Sequence, residues 1–459
     1  MWTNDIINWQ WLLVIASSLI LIIVAPFAKT INDFFRGSKN EQAPGFWLLT
    51  SSLVISWIFA KSITNAANLG LSFGFVGGVA YAAYYLSFLV AGIIIYKMRV
   101  EGQFQSLHHF LENRYGQMAM LLFSSLIAFR LFNEVWSNTM VIGTYFGAKD
   151  SAPYYWSIIV FTILTLVYAL KGGLRSSLLT DLIQMLLFGG LLFVILGVLI
   201  PKEGGDIKVF VQSGEWTMAG GLNLFFVALI QVFSYPFHDP VLTDRAFIAS
   251  PKLTLRSFIL ATVIGSICIL LFSFVGIYAQ LEGLQGQAPV AVSKALGLGM
   301  MLMMNFIMIT SAASTLDSTF TSFSKLILID LGKAQALTIR KGRITMIIVA
   351  IAGTLPIFFS PEILSATTIS GTMVIGLTPI FIFWKIKAPE SSFLWSVSIS
   401  IIIGILFTAG LIPESWYFFE GKYGDLLSVN IIGVLLCTLV FWLPILMTRK
   451  NEANQRFRH

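Results

Sequence analysis

Residues 231–247 read Gln231-Val-Phe-Ser-Tyr-Pro-Phe-His-Asp-Pro-Val-Leu-Thr-Asp-Arg-Ala-Phe247 and end an otherwise apolar run. Pro236 and Pro240 each remove a backbone donor, so a helix through this run is expected to break and to leave carbonyls without helical partners. Polar side chains stand inside the break. The stretch therefore predicts an interrupted membrane helix with a polar centre.

The rest of the chain is also built of apolar runs. Of its 459 residues, 57% are hydrophobic and 11% are charged, against about 25% charged in soluble proteins. A membrane span needs about 20 apolar residues, and this criterion predicts an all-α polytopic membrane protein with thirteen spans and little extramembrane structure. The spans are expected at about 10–28, 46–68, 73–97, 118–147, 153–170, 177–200, 221–247, 255–279, 296–330, 343–359, 361–385, 391–412 and 426–447.

Assigning the loops alternately to two sides sorts the 29 lysines and arginines. One side receives 22 of them and the other five, while Lys61 and Arg130 fall inside spans. By the positive-inside rule, the N-terminus is expected outside and the C-terminus in the cytoplasm. The division explains the net charge of +7 without a nucleic-acid partner. Because no basic residue precedes the first run, we expect an uncleaved span rather than a signal peptide.

The series of predicted spans contains a repeat of five. When the span at 46 is numbered one, spans one and six are both polar and interrupted, and spans three and eight are both unusually long. Five crossings is an odd number, so a second copy would be inverted, a layout typical of secondary transporters with midplane binding sites. Coincidence of span lengths is the alternative. The predicted segments are an extra span with its loop (1–45), two five-helix repeats (46–200 and 201–385) and two C-terminal spans with a tail (386–459).

Charged residues inside spans mark a candidate solute path. Lys61 in span one is expected to face an aqueous cavity, paired with a carboxylate or an anionic solute; a lysine that reaches the outer surface is the alternative. Arg130 and Glu134 are spaced i,i+4 and can pair on one helix face. That pair is either structural or, with Asn133, part of the solute or coupling network. His238 and Asp239 flank the break in span six, and a structural gate or a lipid-surface contact is expected of Asp244 and Arg245 at its inner end.

Span eight carries a cluster of hydroxyls. Ile307, Thr310, Ser311 and Ser314 have the spacing of a single helix face. Oxygen atoms on one face beside an interrupted helix suit Na⁺ better than a transition metal, although membrane hydroxyls often bond their own i−4 carbonyls. With four histidines and two cysteines in the chain, we expect no other metal site, no organic cofactor and no enzyme activity.

Two motifs resemble the sodium/solute symporter family of sodium-coupled glucose, proline, sialic acid and pantothenate carriers. They are Gly172-Gly-Leu174 with Thr180-Asp-Leu-Ile-Gln184, and Ser311-Ala-Ala-Ser-Thr-Leu-Asp-Ser318. The resemblance covers about 46–385. It implies a coupling Na⁺ bound by two carbonyls of span one, one carbonyl of span eight and two hydroxyls of span eight. Those ligands correspond here to Ile55, Ile58, Ile307, Thr310 and Ser311.

The resemblance also implies roles for residues outside this sodium site. Asp181 corresponds to an aspartate implied in sodium release or in a second ion site. Relatives with a second sodium carry hydroxyls at the positions of Ala313 and Ser314, so one sodium per cycle is expected here. The chain departs from the sugar carriers around the span one break, where it has Trp57, Lys61 and Ser62. Tyr235 corresponds to an aromatic beneath the bound sugar and is a candidate inner gate.

These observations predict a sodium-coupled symporter in the bacterial inner membrane that works as a monomer, with Na⁺, a small solute and the lipid bilayer as partners. A buried ammonium at Lys61 favours a carboxylate-bearing solute, and a neutral sugar or ureide is the alternative. A sensor of the same fold acting through a separate partner is also open. A channel or membrane enzyme is disfavoured, because no pore-lining ring or nucleophile with a nearby base is evident. The predicted solute-binding residues are Trp57, Lys61, Ser62, Arg130, Asn133, Glu134, Tyr235, His238 and Asp239.

Overall fold

The computed structural model describes residues 4–332, 337–359 and 371–456. These residues are helices and connecting turns, and the β pairing among them is an isolated bridge between Lys39 and Gln42. The all-α prediction is confirmed for this part of the chain. Thr30 caps the start of a short helix in the loop after the first long helix, and left-handed Gly37 ends it.

The first part of the chain forms eight helices. They are α1 (Asn4–Val24), α2 (Ile31–Arg36), α3 (Phe46–Trp57), α4 (Ala60–Ala82), α5 (Leu86–Val100), α6 (Leu107–Gly143), α7 (Ala152–Gly172) and α8 (Leu174–Lys202). Apolar runs of this length satisfy their backbone polar groups internally, as a membrane requires. A 3₁₀ turn joins α4 to α5.

Within the described residues, the second part adds ten α-helices. They are α9 (Ile207–Val211), α10 (Asn223–Gln231), α11 (Pro240–Arg245), α12 (Pro251–Leu281), α13 (Ala288–Leu296), α14 (Leu298–Lys325), α15 (Ile339–Thr354), α16 (Leu377–Ile382), α17 (Glu390–Thr408) and α18 (Gly424–Arg456). A 3₁₀ turn over Tyr235–His238 separates α10 from α11. The interruption predicted from Pro236 and Pro240 is therefore present.

Ten helical stretches of the described chain are long and apolar enough to cross a membrane. Spans one and six of the prediction are built from shorter helices that meet at a break, and the predicted span 361–385 begins outside the described residues. The multi-pass character is supported. The count of thirteen, the inverted repeat, the orientation and the segment boundaries stay predictions.

Gly74 makes the turn between the predicted first and second spans. Its φ of 62° is left-handed, and a Cβ at this position would lie 2.6 Å from the backbone of Ser213 and Gly214. Only glycine fits both conditions without strain. Next to this turn, the N–H of Phe75 donates to the Ser213 carbonyl over 3.1 Å.

The two broken helices meet in the middle of the bundle. The α3 ladder ends where the Ile58 N–H donates to the Val54 carbonyl, and the α4 ladder begins with Ile63 donating to Phe59. Across this break, the Trp57 ring lies 5.9 Å from the Tyr235 ring at the break between α10 and α11. Helix α14 packs against α3, α4, α6 and α8, so both breaks are surrounded by long helices.

Candidate functional site

An aromatic cavity lies at the meeting point of the breaks. Its volume in this structure is about 40 Å³, so the surrounding rings would have to move apart to admit an organic solute. Its polar groups are neutral: the Tyr81 hydroxyl donates to Ser62 over 3.2 Å, and the Asn65 amide donates to Tyr81 over 3.4 Å. The lining residues are Trp57, Phe59, Ser62, Asn65, Leu69, Tyr81, Tyr84, Tyr85, Leu224, Tyr235 and Tyr423. Rings with a few hydrogen-bonding groups are the usual lining of a small-molecule site.

Three of the predicted solute-binding residues line this cavity: Trp57, Ser62 and Tyr235. The Trp57 carbonyl accepts a hydrogen bond of 2.8 Å from the Tyr85 hydroxyl, and the Trp57 ring packs edge-on against Tyr85. These contacts fix the indole at the end of α3. A second layer of predicted residues lies behind the wall.

That second layer is a group of four buried charges, here called the central charge cluster: Lys61, Arg130, Glu134 and Asp239. Each is at most 3% exposed. Lys61 Nζ lies 2.8 Å from Glu134, and Arg130 Nη2 lies 3.2 Å from Glu134 and 2.7 Å from Asp239. Two cations and two carboxylates balance, which is the arrangement that makes buried charge tolerable.

The cluster decides between the alternatives for Lys61. Its ammonium lies inside the bundle, where it bonds Glu134 and donates to Ser137 over 3.2 Å. It therefore has a carboxylate partner within the protein and does not reach the surface. The predicted i,i+4 contact of Arg130 with Glu134 is present. Asn133 and His238 are buried nearby, and the His238 ring nitrogen Nδ1 lies 2.6 Å from the Tyr235 carbonyl.

The residues predicted to hold sodium lie on two adjoining elements. Ile55 and Ile58 are at the interrupted end of α3, so their carbonyls fall where the helical ladder stops. Thr310 and Ser311 are on α14, which packs against α3 and α4. Thr310 donates to the Ile307 carbonyl over 2.9 Å. The Ser311 hydroxyl is buried and has no hydrogen-bond partner within the described residues.

A second group of charges lies further along α14 and is here called the inner charge cluster: Asp181, Arg245 and Asp317, all 0% exposed. Arg245 lies 3.2 Å from the Asp181 carboxylate. Asp181 also accepts from Ser52 and from Ser314. The two residues predicted for sodium release or a second ion thus contact each other directly.

Hydroxyls complete the inner charge cluster. Ser177 donates to Asp317 over 2.7 Å, and Thr180 donates to its other oxygen over 3.0 Å. Arg245 also donates to Ser318 over 2.7 Å. One cation faces two carboxylates, so these three side chains carry one negative charge in excess when all are ionised.

Arg245 is the site residue that sequence reasoning missed. Its position just beyond an apolar run placed it among the cytoplasmic loop cations, with a gate or lipid-surface contact expected for it. Instead, α11 carries it inward and its guanidinium is fully buried. Lipid contact is therefore wrong for Arg245. The signal that could have found it is the Thr180-Asp181 motif, since a buried carboxylate needs a nearby cation.

No group of three or more histidine, cysteine or acidic residues suited to a metal occurs among the residues that the structure describes. The oxygen-rich surroundings of Ser311 and Asp181 match the ligand preference of a hard monovalent ion rather than that of a transition metal.

Residues 43–269 match the model of the sodium:solute symporter family. Among curated relatives, the chain is 24% identical over 181 residues to a sodium/glucose cotransporter of Vibrio parahaemolyticus, over 37% of this chain and 31% of that protein. It is 25% identical over 207 residues to a sodium/sialic acid symporter of Proteus mirabilis, over 41% of this chain and 37% of that protein. The aligned parts thus span about a third of these relatives.

Solved structures extend the likeness to nearly the whole chain. A Na⁺-coupled sialic acid symporter in a substrate-bound, outward-open state superimposes with a TM-score of 0.68 at 17% identity, covering 94% of this chain and 98% of that one. A nucleobase-cation-symport-1 family transporter in a closed conformation gives a TM-score of 0.55 at 12% identity, covering 91% and 94%. At these identities the likeness establishes the transporter fold alone. Together with the family model, it confirms the predicted resemblance to the sodium:solute symporter family over residues 43–269.

Proposed function

We propose that the chain is a sodium-coupled symporter that moves a small polar organic solute by alternating access, as a monomer in a bacterial inner membrane. The observation that carries this proposal is the Ser311 hydroxyl, which is buried without a partner in the described structure and stands on α14 beside the interrupted end of α3. A buried polar atom without a partner costs free energy. A bound Na⁺ would satisfy it together with the freed carbonyls.

The inner charge cluster supports the same proposal. When both of its carboxyl groups are ionised, this cluster has one negative charge in excess and attracts a cation. Its Asp317 lies about two helical turns from Thr310 and Ser311 along α14. Sodium that leaves its site toward the cytoplasm would pass Asp181. One Na⁺ crossing 100 mV contributes about 2.3 kcal/mol, enough for about fiftyfold accumulation of solute.

For the solute, the geometry favours the neutral alternative over the carboxylate predicted from the sequence. The cation that was to attract a carboxylate, Lys61, bonds Glu134. The cavity itself presents rings, hydroxyls and an amide. A solute without net charge, able to stack on rings and to share hydrogen bonds, fits this lining best.

Uptake into liposomes tests the function. Purified protein would be screened by thermal shift against sugars, ureides, amino acids and carboxylates, in Na⁺ and in K⁺, and each stabilising compound would then be assayed for uptake. We expect stabilisation to require Na⁺ and accumulation to require an inward Na⁺ gradient. Sodium-dependent binding without uptake would point instead to a sensor, and uptake that is unchanged in K⁺ would contradict sodium coupling.

A further inference from the structure

We propose that the chain occupies its own carboxylate-binding site: Asp239 fills the position on Arg130 that the carboxylate of a solute would otherwise take, and thereby excludes anionic solutes. The inference deepens the proposed function, on which it rests, by naming a specificity-determining residue for the solute cavity. The residue is Asp239, whose carboxylate acts as a ligand of Arg130 within the same chain.

The contacts of the Asp239 carboxylate are those of a bound anion. One oxygen, Oδ2, accepts from Arg130 Nη2 over 2.7 Å and from the Trp57 indole over 2.8 Å. A guanidinium and an indole N–H are donors that recognise free carboxylates in the same way. The phenol of Tyr235 completes the group by accepting from Arg130 Nη1 over 2.8 Å.

The other oxygen fixes the carboxylate in place. Asp239 Oδ1 accepts from the Val241 N–H over 3.0 Å and from the Leu242 N–H over 3.4 Å, so Asp239 caps α11. Pro240 follows at the first position of that helix, which sets the direction of the chain. Asp239 is thus held rigidly against Arg130 by its backbone as well as by its charge.

This filled site lies directly behind the cavity wall. Arg130 is 4.8 Å from the centre of the Tyr235 ring and 5.9 Å from that of Phe59, and both rings line the cavity. Trp57 lines the cavity while its indole N–H contacts Asp239. A solute in the cavity is therefore separated from the Arg130–Asp239 pair by one layer of side chains.

The charge balance explains why an anion would be rejected. With Asp239 in place, the central charge cluster is neutral, and a carboxylate solute would add an unpaired negative charge to a buried site. Without Asp239, the cluster would carry one positive charge, and a carboxylate would restore neutrality. The identity of residue 239 thus sets the preferred charge of the solute.

Chemical rescue tests the proposal without a known solute. In Asp239→Ala, the lost carboxylate group leaves space beside Arg130 for formate or acetate. The melting temperature of the purified full chain would be measured in sodium formate or acetate against equal sodium chloride, with formamide and acetamide as neutral probes. We expect formate or acetate to raise it by about 2–4 °C in Asp239→Ala and to leave the wild type unchanged.

Two further variants keep the outcome decisive. Asp239→Ser retains a short side-chain oxygen that can cap α11 and still leaves space beside Arg130, so it serves if the alanine variant does not fold, and formate is expected to stabilise it over formamide. Asp206→Ala removes an exposed cap on α9 and should show no preference between formate and chloride. Equal effects of formate and chloride in both Asp239 variants, or formate stabilisation of the wild type, would overturn the proposal.

The rescue result is independent of transport. A protein that shows no Na⁺-driven uptake can still gain a formate site in Asp239→Ala, and that result would leave the inference standing while the proposed symport fails. Conversely, Na⁺-dependent uptake of a carboxylate by the wild type would overturn the inference and leave symport intact.

Discussion

The central and inner charge clusters are both buried, yet they differ in balance. The central charge cluster pairs two cations with two carboxylates, while the inner charge cluster sets Arg245 against Asp181 and Asp317. The first lies behind an aromatic cavity and the second among hydroxyls of α3, α8 and α14. The difference shows that one bundle can hold a balanced group of charges behind a solute cavity and, elsewhere, two carboxyl groups that share one cation.

Removing the sole cation of the inner charge cluster should have the largest effect. Arg245→Ala leaves two buried carboxylates without a positive partner, which is expected to cost about 3–5 kcal/mol of stability. The thermal unfolding of purified protein measures it. Arg245→Lys is the matched control. It keeps the positive charge but lacks the several donors of the guanidinium, so its loss of stability should be smaller than that of Arg245→Ala. A stability of Arg245→Ala equal to the wild type would contradict the assigned ion pair.

The central charge cluster can be broken and rebalanced. Lys61→Met alone leaves one excess carboxylate and is expected to cost about 3 kcal/mol. Adding Glu134→Gln removes that excess, so the double variant should recover at least half of the loss. Thermal unfolding of the two single variants and the double variant forms the cycle. Additive losses would show that balance is not what holds these four residues together.

A smaller effect is expected at the predicted sodium ligands, where it falls on affinity. Thr310→Ala and Ser311→Ala each remove one oxygen and should raise the sodium concentration needed for half-maximal stabilisation about tenfold, or about 1.4 kcal/mol. Thr262→Ala on α12 is the control, since that hydroxyl bonds the Phe258 carbonyl of its own helix. Unaltered sodium dependence in both variants would contradict the assignment of the sodium site to Thr310 and Ser311.

The smallest effect is expected outside the membrane, at Asp33. Burial works to raise the pKa of its carboxyl, but the N–H groups of Lys29 and Thr30, the Thr30 hydroxyl and Arg175 outweigh burial and hold that pKa below its ordinary value. A lowered pKa stabilises the fold above the unfolded-state pKa, about 3.9, and the gain is lost as pH falls through the folded-state value.

Asp33→Asn should therefore cost about 1 kcal/mol at neutral pH, and the gap to the wild type should close in acid. Melting temperatures of both proteins from pH 7 down to about pH 3.5 check this prediction. A difference in melting temperature that grows as the pH falls would contradict a lowered pKa for the Asp33 carboxyl.

Sequence reasoning found what depends on local pattern. The break at Pro236 and Pro240 and the contact of Arg130 with Glu134 follow from short spacings, and both are present. The pairs of Lys61 with Glu134 and of Arg130 with Asp239 join residues far apart in the chain, so no helical period could assign them.

Arg245 shows what a hydropathy pattern cannot predict. A charged residue at the end of an apolar run reads as a loop residue, and only the inward course of α11 after the double break brings its guanidinium to Asp181. The aromatic cavity likewise depends on elements far apart in the chain. Its wall joins α3 and α4 to the turn before α5, to α10 with the turn after it, and to Tyr423 before α18. The sequence alone could not predict that the central charge cluster lies behind the cavity wall rather than in it.

The turn at Gly74 ties two distant parts of the chain together. Its missing side chain lets the loop at Ser213 lie against the backbone, where Phe75 donates to Ser213. Loop and turn are thus held in contact, so a fluorophore on the exposed side chain of Gln212 would report movement of the turn. Under the proposed alternating access, its displacement would follow the tilt of α4.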